Sequence, residues 1–126
     1  MIYGIGTDVV QLERIQKIHA RHGERFVEHL LMPQEAESFR EQTRPARFLA
    51  MRFAAKEAIV KAMGTGFAQG MWIRDCGIAA NDLGKPEIIW SERGLERCRQ
   101  LGIGEGHVTL TDEAGLVVAV AILMRK

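Results

Sequence analysis

RFAAKEAIVKAMGTG, residues 52–66, carries the pattern around which the rest of the chain is arranged. Wound at about 100° per residue, it gives a helix on which Phe53, Val60 and the preceding Leu49 share one side. Ala54, Ala55, Ala58, Ile59, Ala62 and Met63 cover most of the remainder. A helix apolar nearly all round belongs in the interior. Yet it carries Glu57 and Lys61 one turn apart, and Arg52 and Lys56 on another side. Burying such charges without partners costs several kcal/mol, so they require partners from the protein or from a ligand. Pro45 suits the first turn and Gly64 the position just past the end, which predicts a helix over about residues 45–63.

On the N-terminal side, residues 2–10 read as a strand with Tyr3, Ile5, Thr7 and Val9 on one face and Gly4, Gly6 and Asp8 on the other. Glycines in a strand mark close approach by a backbone or a ligand, which puts Asp8 at the edge of a candidate site; capping the next helix is its alternative role. Leu12, Ile15 and Ile18 predict a helix over about 11–22, resumed after Gly23 over 26–31. Its other side is basic, with Arg14, Lys17, Arg21 and Arg25 in steps of three and four, a stripe for acidic groups or simply a solvated face. Met32-Pro33 opens a further helix, expected to run through Gln42.

Beyond Gly66 the pattern turns to strands. Residues 76–80 and 86–90 flank a hairpin loop, Ser91 caps a helix reaching about Leu101, and Gly102, Gly104 and Gly106 read as a flexible connection. Residues 107–112 and 116–124 form a second hairpin around Glu113-Ala114-Gly115. The expected fold class is α+β, an antiparallel-type sheet packed with a long central helix and shorter helices, in one domain over residues 1–126.

The 126 residues are 47% hydrophobic and 26% charged with a formal charge of +1, which describes an ordinary globular protein and not a basic nucleic-acid binder. No apolar run reaches the length that spans a bilayer, and the N-terminus lacks a leader pattern; a cytoplasmic protein is expected, with no membrane partner. Cys76 and Cys98 have no metal-ligand spacing and read as reduced buried thiols, with a mutual disulfide as the alternative.

Asp8 and Glu57 are hard oxygen ligands of the kind that suit Mg²⁺ completed by water and phosphate oxygens. A Glu57–Lys61 helix pair is the simpler reading of those two side chains. Gly64-Thr65-Gly66 is unlike a P-loop, since the glycines follow a helix C-terminus, whose dipole repels anions; phosphate there would depend on Lys61, a metal or loop amides. Gly4-Ile5-Gly6 fails as a dinucleotide fingerprint because Val9 stands where the third glycine belongs. His19 and His22 lie in basic surroundings that favour solvation over metal binding, and His107 begins a strand where it serves either a phosphate or a backbone carbonyl.

The blocks GIGTDVVQLERI, RFAAKEAIVKAMGTG, GKP at residues 84–86 and HVTLTDE follow one another across nearly the whole chain. Together they resemble the 4′-phosphopantetheinyl transferases of the holo-[acyl-carrier-protein] synthase type. The resemblance implies Mg²⁺-dependent transfer of phosphopantetheine from coenzyme A to a serine of apo-acyl carrier protein, in support of fatty-acid biosynthesis. It assigns Asp8 and Glu57 to the metal, Lys61 to the coenzyme A phosphates, and all three to catalysis. Assistance to the serine proton falls to Glu57. Arg52, Gly64, Thr65, Gly66, Lys85, Pro86, His107 and Thr109 fall in blocks matching coenzyme A contacts, and Arg14, Lys17, Arg21 and Arg25 match a docking surface for the acidic carrier protein. The family implies a homotrimer with sites between subunits. The chain departs from it at Leu116 or Val117, where relatives place an aromatic residue, and at Met63, which replaces a frequent phenylalanine; altered packing is expected there. A noncatalytic coenzyme A or acidic-protein binding module is the competing class, and retention of Asp8, Glu57 and Lys61 favours the enzyme.

Overall fold

A computed structural model describes residues 1–126. Strand β1 (Ile2–Gln11) runs directly into helix α1 (Leu12–His22), followed by α2 (Glu24–Leu30), α3 (Pro33–Phe39) and the long α4 (Pro45–Met63). The hairpin β2 (Cys76–Ala80) and β3 (Pro86–Trp90) precedes α5 (Glu92–Leu101), and β4 (Ile103–Glu113) and β5 (Leu116–Arg125) complete the chain. The fold is α+β, as expected. Its antiparallel strands form two sheets, β1-β5-β4 and β2-β3.

Helix α4 has Pro45 in its first turn and ends at Gly64, whose φ of 82° is the left-handed conformation that glycine adopts without strain. It lies across the inner face of the three-stranded sheet. The face of β1 that holds Gly4 and Gly6 is filled by the helix main chain: a Cβ on Gly4 would stand 2.0 Å from the Ala62 carbonyl oxygen, and one on Gly6 2.0 Å from that of Ala58. Val10, Val117, Ala119, Ala121 and Leu123 continue this inner face as part of one buried cluster. The outer face is different. Ile5 and Val9 are each 59% exposed, opposite Ile122 and Val118 of β5, which in turn pair with His107 and Thr111 of β4.

Two of the charges on α4 find their partner inside the protein. Lys56 is fully buried, and its Nζ lies 2.7 Å from Glu35 Oε1 while donating to the carbonyls of Cys76 (2.7 Å) and Ile73 (3.0 Å). All three ammonium hydrogens are thereby used. Glu35, on α3, also accepts from Met32 N and Ile78 N, and Arg52 Nε approaches it to 3.4 Å with the guanidinium over the Phe48 ring.

Three boundaries differ from expectation by two residues or more, the first being helix α2, which starts at Glu24, directly after Gly23, and not at Phe26. Helix α3 stops at Phe39 because the amides of Glu41 and Gln42 bond three residues back, to Ser38 and Phe39, in tight turns. Strand β4 begins at Ile103, so of the three glycines only Gly102, at φ 77°, acts as a connection. Gly104 and Gly106 lie in the strand where its register shifts, and Gly106 leaves room for Leu123 and Ile88, whose methyls would be 2.6 and 2.9 Å from a Cβ. No helix is long and apolar enough to cross a membrane.

Candidate active site

With α4 brought down onto Gly4 and Gly6, the next inward residue of β1 is Asp8, beside the turn of α4 that carries Glu57 and Lys61. Lys61 Nζ donates to Asp8 Oδ1 (3.1 Å) and to the Thr7 carbonyl (3.0 Å). The side chain of Asp8 is 14% exposed and that of Lys61 51%. Lys61 thus turns to β1 rather than to Glu57 on its own helix, so the simple helix pair is not the arrangement adopted. Asp8 Oδ2 is buried and has no hydrogen-bond partner. Burial raises the Glu57 pKa above the usual carboxylate value, the Asp8 charge raises it further, and Lys61 and Arg14 oppose the shift.

Two carboxylates at one place, one with an orphaned buried oxygen, form a donor set that fits a hard divalent cation. No third His, Cys, Asp or Glu joins them, which leaves the other positions of such an ion to water and substrate oxygens. The amides of Gly64, Thr65 and Gly66 all converge on the Val60 carbonyl, at 3.1, 3.3 and 3.2 Å, and Thr65 Oγ1 donates to the Gly66 carbonyl. They neutralise the negative end of α4 and do not form an anion nest.

Of the other candidates, Arg52, Lys85, Pro86, His107 and Thr109 lie in two cavities, neither lined by Asp8, Glu57 or Lys61. Arg52, Pro86 and Thr109 line one of about 360 Å³ together with Arg47 and Met51. Lys85, Pro86 and His107 line a cleft of about 550 Å³ between β3 and β4, where His107 Nε2 is 3.4 Å from Glu105 Oε1. Arg14, Lys17, Arg21 and Arg25 are all exposed along α1 and α2, with Lys17 paired to Glu13 at 3.2 Å. Arg14 stands close enough to Glu57 to act on its charge, so the stripe begins at the carboxylates.

Sequence reasoning missed Arg47 and Asp112. Arg47 donates to both carboxylate oxygens of Asp112, at 2.6 and 3.1 Å, tying the first turns of α4 to the end of β4 beside the cavity of Arg52 and Thr109. The hydrogen bond from Arg47 holds the Asp112 carboxyl below the usual carboxylate range. Opposite charges so far apart in the chain leave no local signal from which the pair could be read.

Residues 4–121 match the family described as the 4′-phosphopantetheinyl transferase superfamily. Holo-[acyl-carrier-protein] synthase of Vibrio cholerae serotype O1 (strain M66-2) is 44% identical over 126 residues, covering all of both chains. Among solved structures, the holo-[acyl-carrier-protein] synthase of Neisseria meningitidis superposes with a TM-score of 0.95 at 38% identity, over 99% of this chain and 100% of that one. The Helicobacter pylori enzyme of the same name, solved in complex with coenzyme A, gives 0.83 at 28% identity, over 94% and 98%. The carboxylates and lysine assembled from the first and central sequence blocks, the α+β fold and these full-length matches agree, and the chain belongs to the 4′-phosphopantetheinyl transferase superfamily.

Proposed function

We propose that this chain transfers the 4′-phosphopantetheine group of coenzyme A to a serine hydroxyl of an apo-acyl carrier protein, acting in the cytoplasm in support of fatty-acid biosynthesis. The observation that carries the reading is the meeting of Asp8, Glu57 and Lys61, with one buried carboxylate oxygen left over. The serine oxygen forms a bond to the β-phosphorus of the pyrophosphate, the bond to the bridging oxygen breaks, and adenosine 3′,5′-bisphosphate leaves.

Asp8 and Glu57 would hold Mg²⁺, which supplies Lewis-acid neutralisation of the pyrophosphate charge when bound. Lys61 brings its ammonium to the phosphates, a movement its half-exposed stem permits. Glu57, whose proton affinity is raised by burial and by Asp8, assists removal of the serine proton directly or through water. Arg52, Thr109, Lys85, Pro86 and His107 contact the rest of coenzyme A, with the turn at Gly64, Thr65 and Gly66 shaping the boundary. The exposed stripe of Arg14, Lys17, Arg21 and Arg25 receives the acidic carrier protein.

The chain acts as a single domain, in keeping with one buried cluster that joins α4 to both sheets, and it assembles as a homotrimer with sites between subunits. Two features support the assembly: the apolar outer sheet face around Ile5 and Val9, and the division of the candidate coenzyme A contacts among separate places on one chain.

Incubation with coenzyme A, Mg²⁺ and apo-carrier protein, followed by intact mass measurement, is expected to show a phosphopantetheinyl mass gain on the carrier protein. An unchanged mass, with coenzyme A binding intact, would overturn transfer and leave only a binding module.

A further inference from the structure

We propose that Lys61 and the divalent cation compete for Asp8, so that the free protein holds metal weakly and the phosphates of the donor lift the competition by drawing Lys61 away. This rests on the reading of Asp8 and Glu57 as metal ligands.

The competition follows from where the lysine sits. Its Nζ is 3.1 Å from Asp8 Oδ1 and 3.0 Å from the Thr7 carbonyl, so the ammonium occupies one oxygen of the carboxylate whose other oxygen is buried without a partner. A cation taken up by Asp8 would face that ammonium across a single carboxylate group, and like charges at such separation repel strongly where water is partly excluded. The arrangement is also easily undone. Lys61 is half exposed, unlike the fully buried Lys56 five residues earlier, whose three hydrogens are all bound within the protein. A flexible four-carbon stem can carry the ammonium from β1 to a phosphate without moving α4. Lys61 is therefore a temporary partner that holds the Asp8 side chain in place until metal and donor arrive together. By linkage, metal tightens donor binding by the same factor as donor tightens metal binding.

The test uses Mn²⁺ as a spin-active probe, with the unbound ion measured by electron paramagnetic resonance on the full chain without coenzyme A. Lys61→Met is expected to bind Mn²⁺ about tenfold more tightly than the unaltered protein. Lys61→Arg, which keeps a cation within reach of Asp8, should show no such gain. Arg14→Met removes a positive charge from the same surroundings without touching Asp8, and is expected to tighten binding much less. An unchanged affinity in Lys61→Met, or an equal gain in Arg14→Met, overturns direct competition. Asp8→Asn separates the two claims: if it binds Mn²⁺ as the unaltered protein does, the metal reading itself fails. If it loses Mn²⁺ while Lys61→Met gains nothing, the ligands stand and the competition is wrong.

Discussion

Glu57 sits in surroundings that suit its chemistry better than the fold. Its pKa is raised, first by burial and then by Asp8, so its ionised form is disfavoured in the folded chain. The stability associated with that shift is fully present below the ordinary carboxylate pKa and is lost as pH rises through the raised value. Glu57→Gln is therefore expected to melt above the unaltered protein near pH 7, with the gap closing in acid, while transfer is lost; melting curves across pH together with the mass assay check both halves. A lower melting temperature at neutral pH would contradict this account. The residue itself was legible in sequence as a charge on an otherwise apolar helix. So was Lys56, but its partner was not, because Glu35 belongs to another helix and only folding brings it there. Half of the charges that asked for a ligand were answered by the protein's own core.

Helix α4 and strand β1 are held together with no side-chain layer between them at Gly4 and Gly6. Gly6→Ala would place a methyl on the carbonyl of Ala58, and relief requires the helix to move away from the strand. Such overpacking typically costs about 1–3 kcal/mol. Activity should fall further than stability alone explains, since the same movement separates Asp8 from Glu57 and Lys61; urea unfolding and turnover at a temperature where the variant remains folded distinguish the two. Full activity in a folded Gly6→Ala would show that the close approach does not position the site. At this scale the sequence was informative wherever a local signal marks an end: Pro45 and Gly64 for α4, Ser91 for α5, the Asn81–Lys85 turn for the β2–β3 hairpin. It misled at Gly104 and Gly106, where glycine serves close packing instead of flexibility, against the main chain of Lys126 at Gly104 and against Leu123 and Ile88 at Gly106. At Gly4 and Gly6 the sequence signals close approach, and the approaching group is the backbone of α4.

Over the whole molecule, the outward face of the three-stranded sheet leaves Ile5 and Val9 largely exposed, while Trp72, Leu83 and Leu95 are exposed outside this sheet. Placing a charge there, as in Ile5→Lys, is expected to yield single subunits by light scattering, with unchanged circular dichroism and with transfer lost. A trimer that survives the substitution would remove this face from the assembly. Little of this level could be read from periodicity, which separates the faces of a strand but does not say what covers them; the family resemblance supplied the expectation. Because Gly4 and Gly6 meet Ala62 and Ala58 through main-chain atoms, the reach from Asp8 to α4 is set by peptide geometry and not by the volume of packed side chains. Apolar residues elsewhere in the core can drift through many generations while that gauge keeps its length, whereas on β1 even one added methyl changes it by a step that no later mutation can make gradual.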